Sequence, residues 1–263
     1  MLRKFVLVLW FFCLPWPGYA LDVSFGNGAF FDPPQFLEML RGNSSRDAVE
    51  RALAGVVLIG GRASGVLISP DGLMITARHT VEDLSFTNAD CARIPLFLGH
   101  EIAEDGSRDT GLRRLVCDHI LVNEYADDFI LMKVRVPEGI QLPFAPPERD
   151  VVGIEAGMRA YAVGYPHALN YSRGVKKVSL GPVVLYRPYD DELPHFLHLI
   201  DTEGGSSGGA ILSEQGKLVG LHFRGVRDYG PGVKVLVDGK QTLIHRFNVA
   251  LPVPYLLKKY LPN

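Results

Sequence analysis

Residues 201–212 read Asp-Thr-Glu-Gly-Gly-Ser-Ser-Gly-Gly-Ala-Ile-Leu, and the interpretation of the fold depends on this stretch. Four glycines surround Ser206 and Ser207, and apolar residues suited to strands stand on both sides. Because glycine lacks a Cβ, such a backbone can turn sharply and aim successive N–H groups at one point. Its position between strand-like segments predicts a tight functional turn and not a flexible Gly-Ser linker.

Two further polar segments precede this turn in the chain. Thr76-Ala-Arg-His79 ends an apolar run, and Asp128-Phe-Ile-Leu-Met-Lys133 begins another. A serine hydroxyl is a weak nucleophile, which needs a base to remove its proton and a carboxylate to hold that base in the correct tautomer. The order His, Asp, Ser therefore predicts His79 as general base, Asp128 as its orienting group and Ser207 as nucleophile.

Two details of this catalytic set depend on neighbouring residues. Asp127 is an alternative to Asp128, but the spacing to Lys133 and the apolar strand residues that follow favour Asp128. The glycines beside the serine predict an oxyanion hole formed by the backbone N–H groups of Gly205 and Ser207.

Short β-rich runs separated by turn residues occupy the chain from residue 55 onward. The first set has six runs, at 56–59, 65–68, 73–76, 97–99, 115–122 and 129–134, and a proline-rich linker follows at 143–147. The second set has runs at 159–163, 175–180, 183–186, 198–199, 210–212, 218–223, 233–237 and 241–244. Closing each set into a barrel removes the exposed edges of an open sheet. The sequence therefore predicts an all-β fold of two six-stranded antiparallel barrels, residues 55–145 and 146–263, with a short C-terminal helix in the second.

The N-terminal part of the chain has a different character. A basic start, an apolar run of about ten residues, and small residues at Gly18 and Ala20 form the layout of a secretory signal over residues 1–20. A run this short does not span a bilayer, although a retained anchor is the alternative. Residues 21–54 are predicted to be an N-terminal extension, either packed on the barrel or removed as a pro-segment.

Charge and cysteine content bear on partners and compartment. The whole chain carries 27 basic and 29 acidic side chains, and signal removal makes it slightly more acidic. This balance argues against nucleic acid or an anionic membrane as a partner. Cys91 and Cys117 either form one disulfide in an oxidising compartment or remain separate buried thiols.

No cofactor and no metal site are predicted. His195 and His198 are three residues apart, but the HExxH pattern of a zinc-binding helix is absent from the sequence. Both histidines are interpreted as surface or barrel-rim residues.

The motifs together resemble those of chymotrypsin-fold serine proteases, above all bacterial glutamyl endopeptidases and periplasmic quality-control proteases. The segments that carry the resemblance are Leu67-Ile-Ser-Pro-Asp-Gly-Leu-Met-Ile-Thr-Ala-Arg-His79, Asp128-Phe-Ile-Leu-Met-Lys-Val134, Val163-Gly-Tyr-Pro166 and Asp201-Thr-Glu-Gly-Gly-Ser-Ser-Gly-Gly209. It implies a secreted or periplasmic serine endopeptidase that cleaves polypeptides through an acyl-enzyme on Ser207.

Two other functions fit parts of the pattern. A catalytically silent binding module of the same fold is one, although no member of the triad is missing. An esterase with a Gly-x-Ser-x-Gly nucleophile elbow is the other, but that fold requires a helix directly after the serine, with the acid and the histidine further on. Here the segment after Ser207 has the pattern of a strand followed by a turn.

The resemblance also places Asp201, Thr202 and His222 at the pocket that receives the substrate side chain. Thr202 and His222 would hydrogen-bond a substrate carboxylate, as in glutamyl endopeptidases, whereas Asp201 would favour arginine or lysine. An unpaired buried carboxylate repels an acidic substrate, so acidic, basic and small or apolar preferences all stay open.

Overall fold

The computed structural model describes residues 30–81, 91–102, 107, 113–150, 154–166, 174–187, 194–237 and 239–261. The predicted signal at 1–20 lies outside the described residues. Three α-helices are present in these ranges, α1 (Pro33–Met39), α2 (Arg46–Ala54) and α3 (Val253–Tyr260). The strands are β1 (Val56–Ile59), β2 (Ala63–Leu67), β3 (Leu73–Ala77), β4 (Leu96–Leu98), β5 (Arg113–Leu115), β6 (Cys117–Glu124), β7 (Phe129–Val134), β8 (Arg159–Gly164), β9 (Lys177–Arg187), β10 (His195–His198), β11 (Ala210–Ser213), β12 (Leu218–Val226), β13 (Val233–Val237), β14 (Lys240–Ile244) and β15 (Phe247–Pro252).

The N-terminal strands form one antiparallel sheet in the order β5-β4-β1-β2-β3-β7-β6. We call this sheet the N-terminal unit. Its seven strands differ from the six predicted, because the predicted strand at 115–122 is two strands, β5 and β6, on opposite edges of the sheet. The chain leaves one edge and joins the other at Val116, a change of partner that local composition does not reveal.

Six C-terminal strands close into an antiparallel barrel in the order β10-β15-β12-β11-β8-β9. Two predicted strands, at 175–180 and 183–186, are parts of the single strand β9, which continues through Pro182. A register shift between Leu197 and His198 of β10 lies opposite this region, so the missing proline N–H falls at an irregularity of the ladder. The predicted all-β fold is confirmed, and so is the six-stranded C-terminal barrel. The N-terminal strands form a sheet with β5 and β6 at its two edges, where a second closed barrel of six strands was predicted.

One apolar cluster joins both units to all three helices. It contains Phe36 of α1, Leu53 of α2, Leu256 of α3, Val66 of β2 and Val163 of β8, each nearly inaccessible to solvent. Burying an apolar side chain of this size contributes about 1.5–3 kcal/mol. The shared cluster therefore fixes the two units relative to each other, which is what an active site between them requires.

The residues before β1 pack onto the barrel. Phe31 pairs with Val178 of β9 through two backbone hydrogen bonds of 2.8 and 2.9 Å. Phe36 packs edge-on against Tyr161, with 4.8 Å between the ring centroids. Residues 30–54 are thus an integral layer on the barrel.

Cys91 and Cys117 form a disulfide, with their Cα atoms 5.4 Å apart. Of the two alternatives for these cysteines, the structure has the bridged one. The disulfide lies in the core of the N-terminal unit, beside Leu96 and Met132.

Candidate active site

His79 and Asp128 lie at the same end of two paired strands in the N-terminal unit. β3 leads into a short 3₁₀ helix, Arg78–Val81, which contains His79, and Asp128 directly precedes β7. The pairing of Ala77 with Phe129 brings the two residues together.

The Asp128 carboxylate holds His79 with both of its oxygens. Oδ2 lies 2.5 Å from Nδ1 of the His79 ring, and Oδ1 accepts a hydrogen bond of 2.7 Å from the His79 backbone N–H. A proton on Nδ1 leaves the basic lone pair on Nε2, which is the tautomer that a general base needs. The His79 side chain is 28% exposed as a whole, while its Nε2 atom is buried.

Asp128 has an unusual backbone, with φ at 46° in the left-handed region that residues other than glycine rarely adopt. Two backbone hydrogen bonds maintain it. Its N–H donates to the carbonyl of Tyr125 at 3.2 Å, and its carbonyl accepts from the N–H of Arg78 at 2.8 Å. Strained residues persist where their surroundings over-determine them, and they cluster at functional sites.

Asp127, the alternative acid, points elsewhere. Only 4% of it is exposed, and its Oδ2 accepts hydrogen bonds from Lys259 Nζ at 2.6 Å and from the Tyr260 hydroxyl at 2.5 Å. The structure therefore brings Asp128, and not Asp127, to His79.

Ser207 lies in the turn at 203–209, between β10 and β11. The turn is closed by hydrogen bonds from Ser206 N–H to the Glu203 carbonyl and from Gly209 N–H to the Ser206 carbonyl, both 2.9 Å long. Ser207 Oγ lies 3.5 Å from the carbonyl oxygen of Phe223, whose ring packs edge-on against the His79 imidazole at 6.2 Å between centroids. Phe223 is thus a common neighbour of the serine and the histidine.

Ser64 of β2 braces this turn from the N-terminal unit, and sequence reasoning missed it. Its buried Oγ donates to the Gly205 carbonyl at 2.7 Å and accepts from the Tyr165 N–H at 2.9 Å, and its own N–H donates to the Ser207 carbonyl at 3.0 Å. The only signal in the sequence is one polar residue inside an apolar strand.

The contacts of Ser64 orient the backbone of the residues predicted to form the oxyanion hole. The carbonyls of Gly205 and Ser207 are both turned toward Ser64, while the N–H groups of Gly205 and Ser207 donate to no backbone carbonyl among the described residues. Two such donors next to a nucleophile can bind an oxyanion.

The three residues predicted at the substrate pocket line one small cavity together with Ser206 and the end of β8. Asp201 is 5% exposed, and Thr202 and His222 are 1% exposed. Thr202 Oγ1 is buried and has no hydrogen-bond partner in the described part of the chain. A buried hydroxyl of this kind is available to a ligand.

A second histidine, His198, contacts His222 inside the barrel. His222 Nδ1 lies 3.4 Å from Nε2 of His198, which is fully buried, so the interpretation of His198 as a surface or rim residue is wrong. Its strand turns the side chain into the barrel. Burial, together with the neighbouring His222, holds the pKa of His198 well below its ordinary value of 6.5.

The described residues show neither a metal-binding cluster nor a membrane-spanning helix. They contain no group of three or more His, Cys, Asp or Glu side chains placed to hold a metal ion. None of the helices in the described ranges is long and apolar enough to cross a membrane.

A histidine held by a carboxylate next to a glycine-flanked serine, between two antiparallel β-units, is typical of the serine peptidase class. A family model described as trypsin-like peptidase domain matches residues 63–221, more than half of the chain. The chain belongs to this family and is a serine endopeptidase. No curated protein sequence matches it.

Solved structures of proteases share the fold. The MamO protease domain from Magnetospirillum magneticum is 17% identical with a TM-score of 0.52, and the match covers 80% of this chain and 97% of that one. A serine endoprotease from Yersinia pestis is 18% identical with a TM-score of 0.53, covering 82% and 65%. The HtrA-type protease AlgW with tripeptide is 18% identical with a TM-score of 0.54, covering 82% and 62%. The predicted chymotrypsin-like fold is confirmed.

Proposed function

We propose that this endopeptidase works through an acyl-enzyme on Ser207, with His79 as general base and Asp128 as its orienting group. The observation that carries the proposal is the pair of hydrogen bonds that the Asp128 carboxylate accepts from the ring and the backbone N–H of His79, beside the serine turn. A ring held in this way keeps Nε2 on the side of the substrate.

The reaction begins when His79 Nε2 takes the Ser207 proton and Oγ attacks the scissile carbonyl carbon. The contact of Ser207 Oγ with the Phe223 carbonyl is long, at 3.5 Å, so the hydroxyl is weakly held and free to turn toward His79. The oxyanion of the tetrahedral intermediate accepts hydrogen bonds from the N–H groups of Gly205 and Ser207. His79 then protonates the leaving amine, and water hydrolyses the acyl-enzyme by the same steps in reverse.

Labelling by a fluorophosphonate tests the assignment of the nucleophile. We expect Ser207→Ala to abolish labelling and to lower kcat by about 10⁶-fold, as for other triad members that act as a unit. Ser206→Ala is the matched control, because the Ser206 hydroxyl only accepts a bond of 3.2 Å from the Glu203 N–H. A labelled Ser207→Ala variant with near-wild-type peptidase activity would contradict the proposal.

For the substrate side chain, we propose a small or apolar preference. Asp201, Thr202 and His222 surround a cavity with little free space, and a small side chain fits such a cavity more readily than the long side chain of Glu, Lys or Arg. Cleavage of a diverse peptide mixture, followed by mass spectrometry, measures the preference. Efficient cutting after Glu that is lost in His222→Ala, or after Lys or Arg that is lost in Asp201→Ala, would establish one of the two alternatives.

We further propose that the chain is exported to the periplasm or secreted after removal of residues 1–20, with an extension at 21–54 followed by β-units at 55–145 and 146–263. The signal layout supports this, and its substrates would then be exported polypeptides. N-terminal sequencing of exported material should begin at or near Leu21. Exported protein that still begins at Met1 would overturn the cleavage.

A further inference from the structure

The last turn of α3 reaches the segment that contains Asp128. The Tyr260 hydroxyl donates a hydrogen bond of 2.5 Å to Asp127, and the Tyr260 ring stacks on the ring of Phe129 at 5.2 Å between centroids and 21° between planes. Asp127 and Phe129 are the two chain neighbours of Asp128. One side chain from the C-terminus therefore contacts the residue on each side of the strained Asp128.

Three side chains of α3 donate hydrogen bonds to the Asp127 carboxylate, and we call this cluster of Asp127, Tyr255, Lys259 and Tyr260 the anchor. Lys259 Nζ at 2.6 Å and the Tyr255 hydroxyl at 3.5 Å donate to the same carboxylate oxygen as Tyr260. A nearly buried carboxylate must be paired, because desolvating it alone is costly. Hydrogen bonds that involve an ionised partner are also shorter and stronger than neutral ones.

The donors keep their protons throughout the ordinary pH range. Burial, together with the hydrogen bond to Asp127, raises the pKa of Tyr260 to about 12. Burial alone lowers the pKa of Lys259, but its hydrogen bonds to Asp127, Tyr260 and Tyr255 outweigh that effect and raise it. The anchor therefore persists wherever the enzyme works near neutral pH.

We propose that Tyr260, acting with Asp127 and Lys259, is a positioning residue that holds Asp128 in its left-handed conformation against His79. The inference rests on the proposed role of Asp128. The bonds from the Asp128 carboxylate fix the histidine ring, but they do not fix the backbone that carries the carboxylate. The contacts of Tyr260 on both sides of Asp128 reinforce the two backbone hydrogen bonds that maintain this backbone. The reinforcement matters because a displacement of about 1 Å at a catalytic group lowers the rate by as much as about 10²-fold.

Graded substitutions at position 260 test the proposal. Tyr260→Phe keeps the stacked ring and removes the hydrogen bond, whereas Tyr260→Leu removes both contacts. We expect kcat to fall by about 3-fold in the first and about 10-fold or more in the second, with KM within about twofold. Lys258→Met is the matched control, since Lys258 is an exposed residue of the same helix turn, and it should leave kcat unchanged.

A spectroscopic readout separates positioning from simple stability. The proton between His79 Nδ1 and Asp128 lies in a short hydrogen bond, and such protons resonate far downfield in proton NMR spectra. We expect this resonance to shift in Tyr260→Phe and to be lost in Tyr260→Leu, while Lys258→Met keeps it. If Tyr260→Leu does not fold, Tyr260→Phe and Lys259→Met give the same comparison.

A lower melting temperature in Tyr260→Phe and Tyr260→Leu, with kcat and the downfield resonance as in the wild type, would overturn the positioning role and leave a structural one. The NMR measurement needs no turnover. Activity retained in Ser207→Ala would therefore refute the proposed function without affecting this result.

Discussion

At the scale of single residues, the glycines of the serine turn have different roles. A Cβ on Gly208 would lie 2.2 Å from the Ser64 carbonyl oxygen and 2.3 Å from Thr76 Oγ1, and its φ of 78° belongs to the left-handed region. A Cβ on Gly204 would meet no atom within 4 Å beyond its chain neighbours. The sequence presents the two glycines as equivalent, and only the approach of β2 and β3 separates them.

This difference predicts opposite outcomes for two identical substitutions. Gly208→Ala must push the turn away from Ser64, so we expect kcat/KM and the rate of fluorophosphonate labelling to fall by about 10²-fold or more. Gly204→Ala should stay within about twofold of the wild type. Equal effects of the two substitutions on labelling would show that the packing of Ser64 does not shape the turn.

His198 makes stability depend on pH. Because burial lowers its pKa in the folded state, the unfolded chain takes up a proton first as the pH falls. The contribution of His198 to stability is therefore complete above about pH 6.5 and is lost as the pH drops toward the lower folded value. We expect His198→Asn to flatten the pH dependence of the unfolding free energy below about pH 6.5, whereas an unchanged slope would contradict the assignment.

At the scale of secondary-structure elements, β9 is completed by the N-terminal segment. β10 pairs with β9 only from Val183 onward, and Phe31 pairs with Val178 on the part of the edge that β10 leaves open. Asp32 supports this contact with an ion pair of 2.6 Å to Lys177, in which both side chains are mostly buried. An open strand edge is thus covered by residues from outside the barrel.

Breaking this ion pair should loosen the N-terminal segment. We expect Asp32→Asn to cost about 1 kcal/mol of unfolding free energy and to speed hydrogen exchange at the Phe31 and Val178 amides. The double variant Asp32→Lys with Lys177→Asp should recover part of the loss. Glu50→Gln, which breaks an exposed pair on α2, is the control and should have little effect on exchange.

The candidate site residues that the sequence alone suggests are those whose chemistry is local. The serine turn, His79 and Asp128 each stand in a short recognisable segment. Ser64 and Tyr260 do not, because their partners Gly205 and Asp127 lie 141 and 133 residues away in the chain. Such contacts depend on how strands and helices meet, which no short segment encodes.

The strand predictions failed where a polar residue or proline is buried for a tertiary reason. β15 was missed because Asn248 and Pro252 interrupt its apolar pattern. Asn248 is fully buried, and its side chain donates a hydrogen bond of 2.7 Å to the Ile200 carbonyl, so it closes the barrel next to the segment that leads to Asp201. A buried polar residue interrupts the apolar pattern by which a strand is predicted, although in the folded barrel its side chain makes a stabilising hydrogen bond.

At the scale of the whole molecule, the proposed catalytic groups come from both units, and their geometry depends on the contacts between the units. Tyr165, after β8, is fully buried, and its hydroxyl donates to the Gly99 carbonyl of the N-terminal unit at 2.6 Å. Burial raises the pKa of Tyr165 well above its ordinary value, so this bond persists at alkaline pH. Together with Ser64 and Tyr260, it joins the two units around the serine turn.

The disulfide acts at the same scale, because it closes a loop of 26 residues within the N-terminal unit. A cross-link of this length stabilises the folded state by about 3 kcal/mol in the chain-entropy model. We expect the Cys91→Ala/Cys117→Ala variant to unfold at lower denaturant concentration than the oxidised wild type and to match the reduced wild type. Since neither cysteine contacts the serine turn in the described structure, kcat/KM of the folded variant should stay within about twofold. Unfolding that is insensitive to reductant would show that the bridge does not stabilise the protein, and a loss of activity before unfolding would show that it acts on the site.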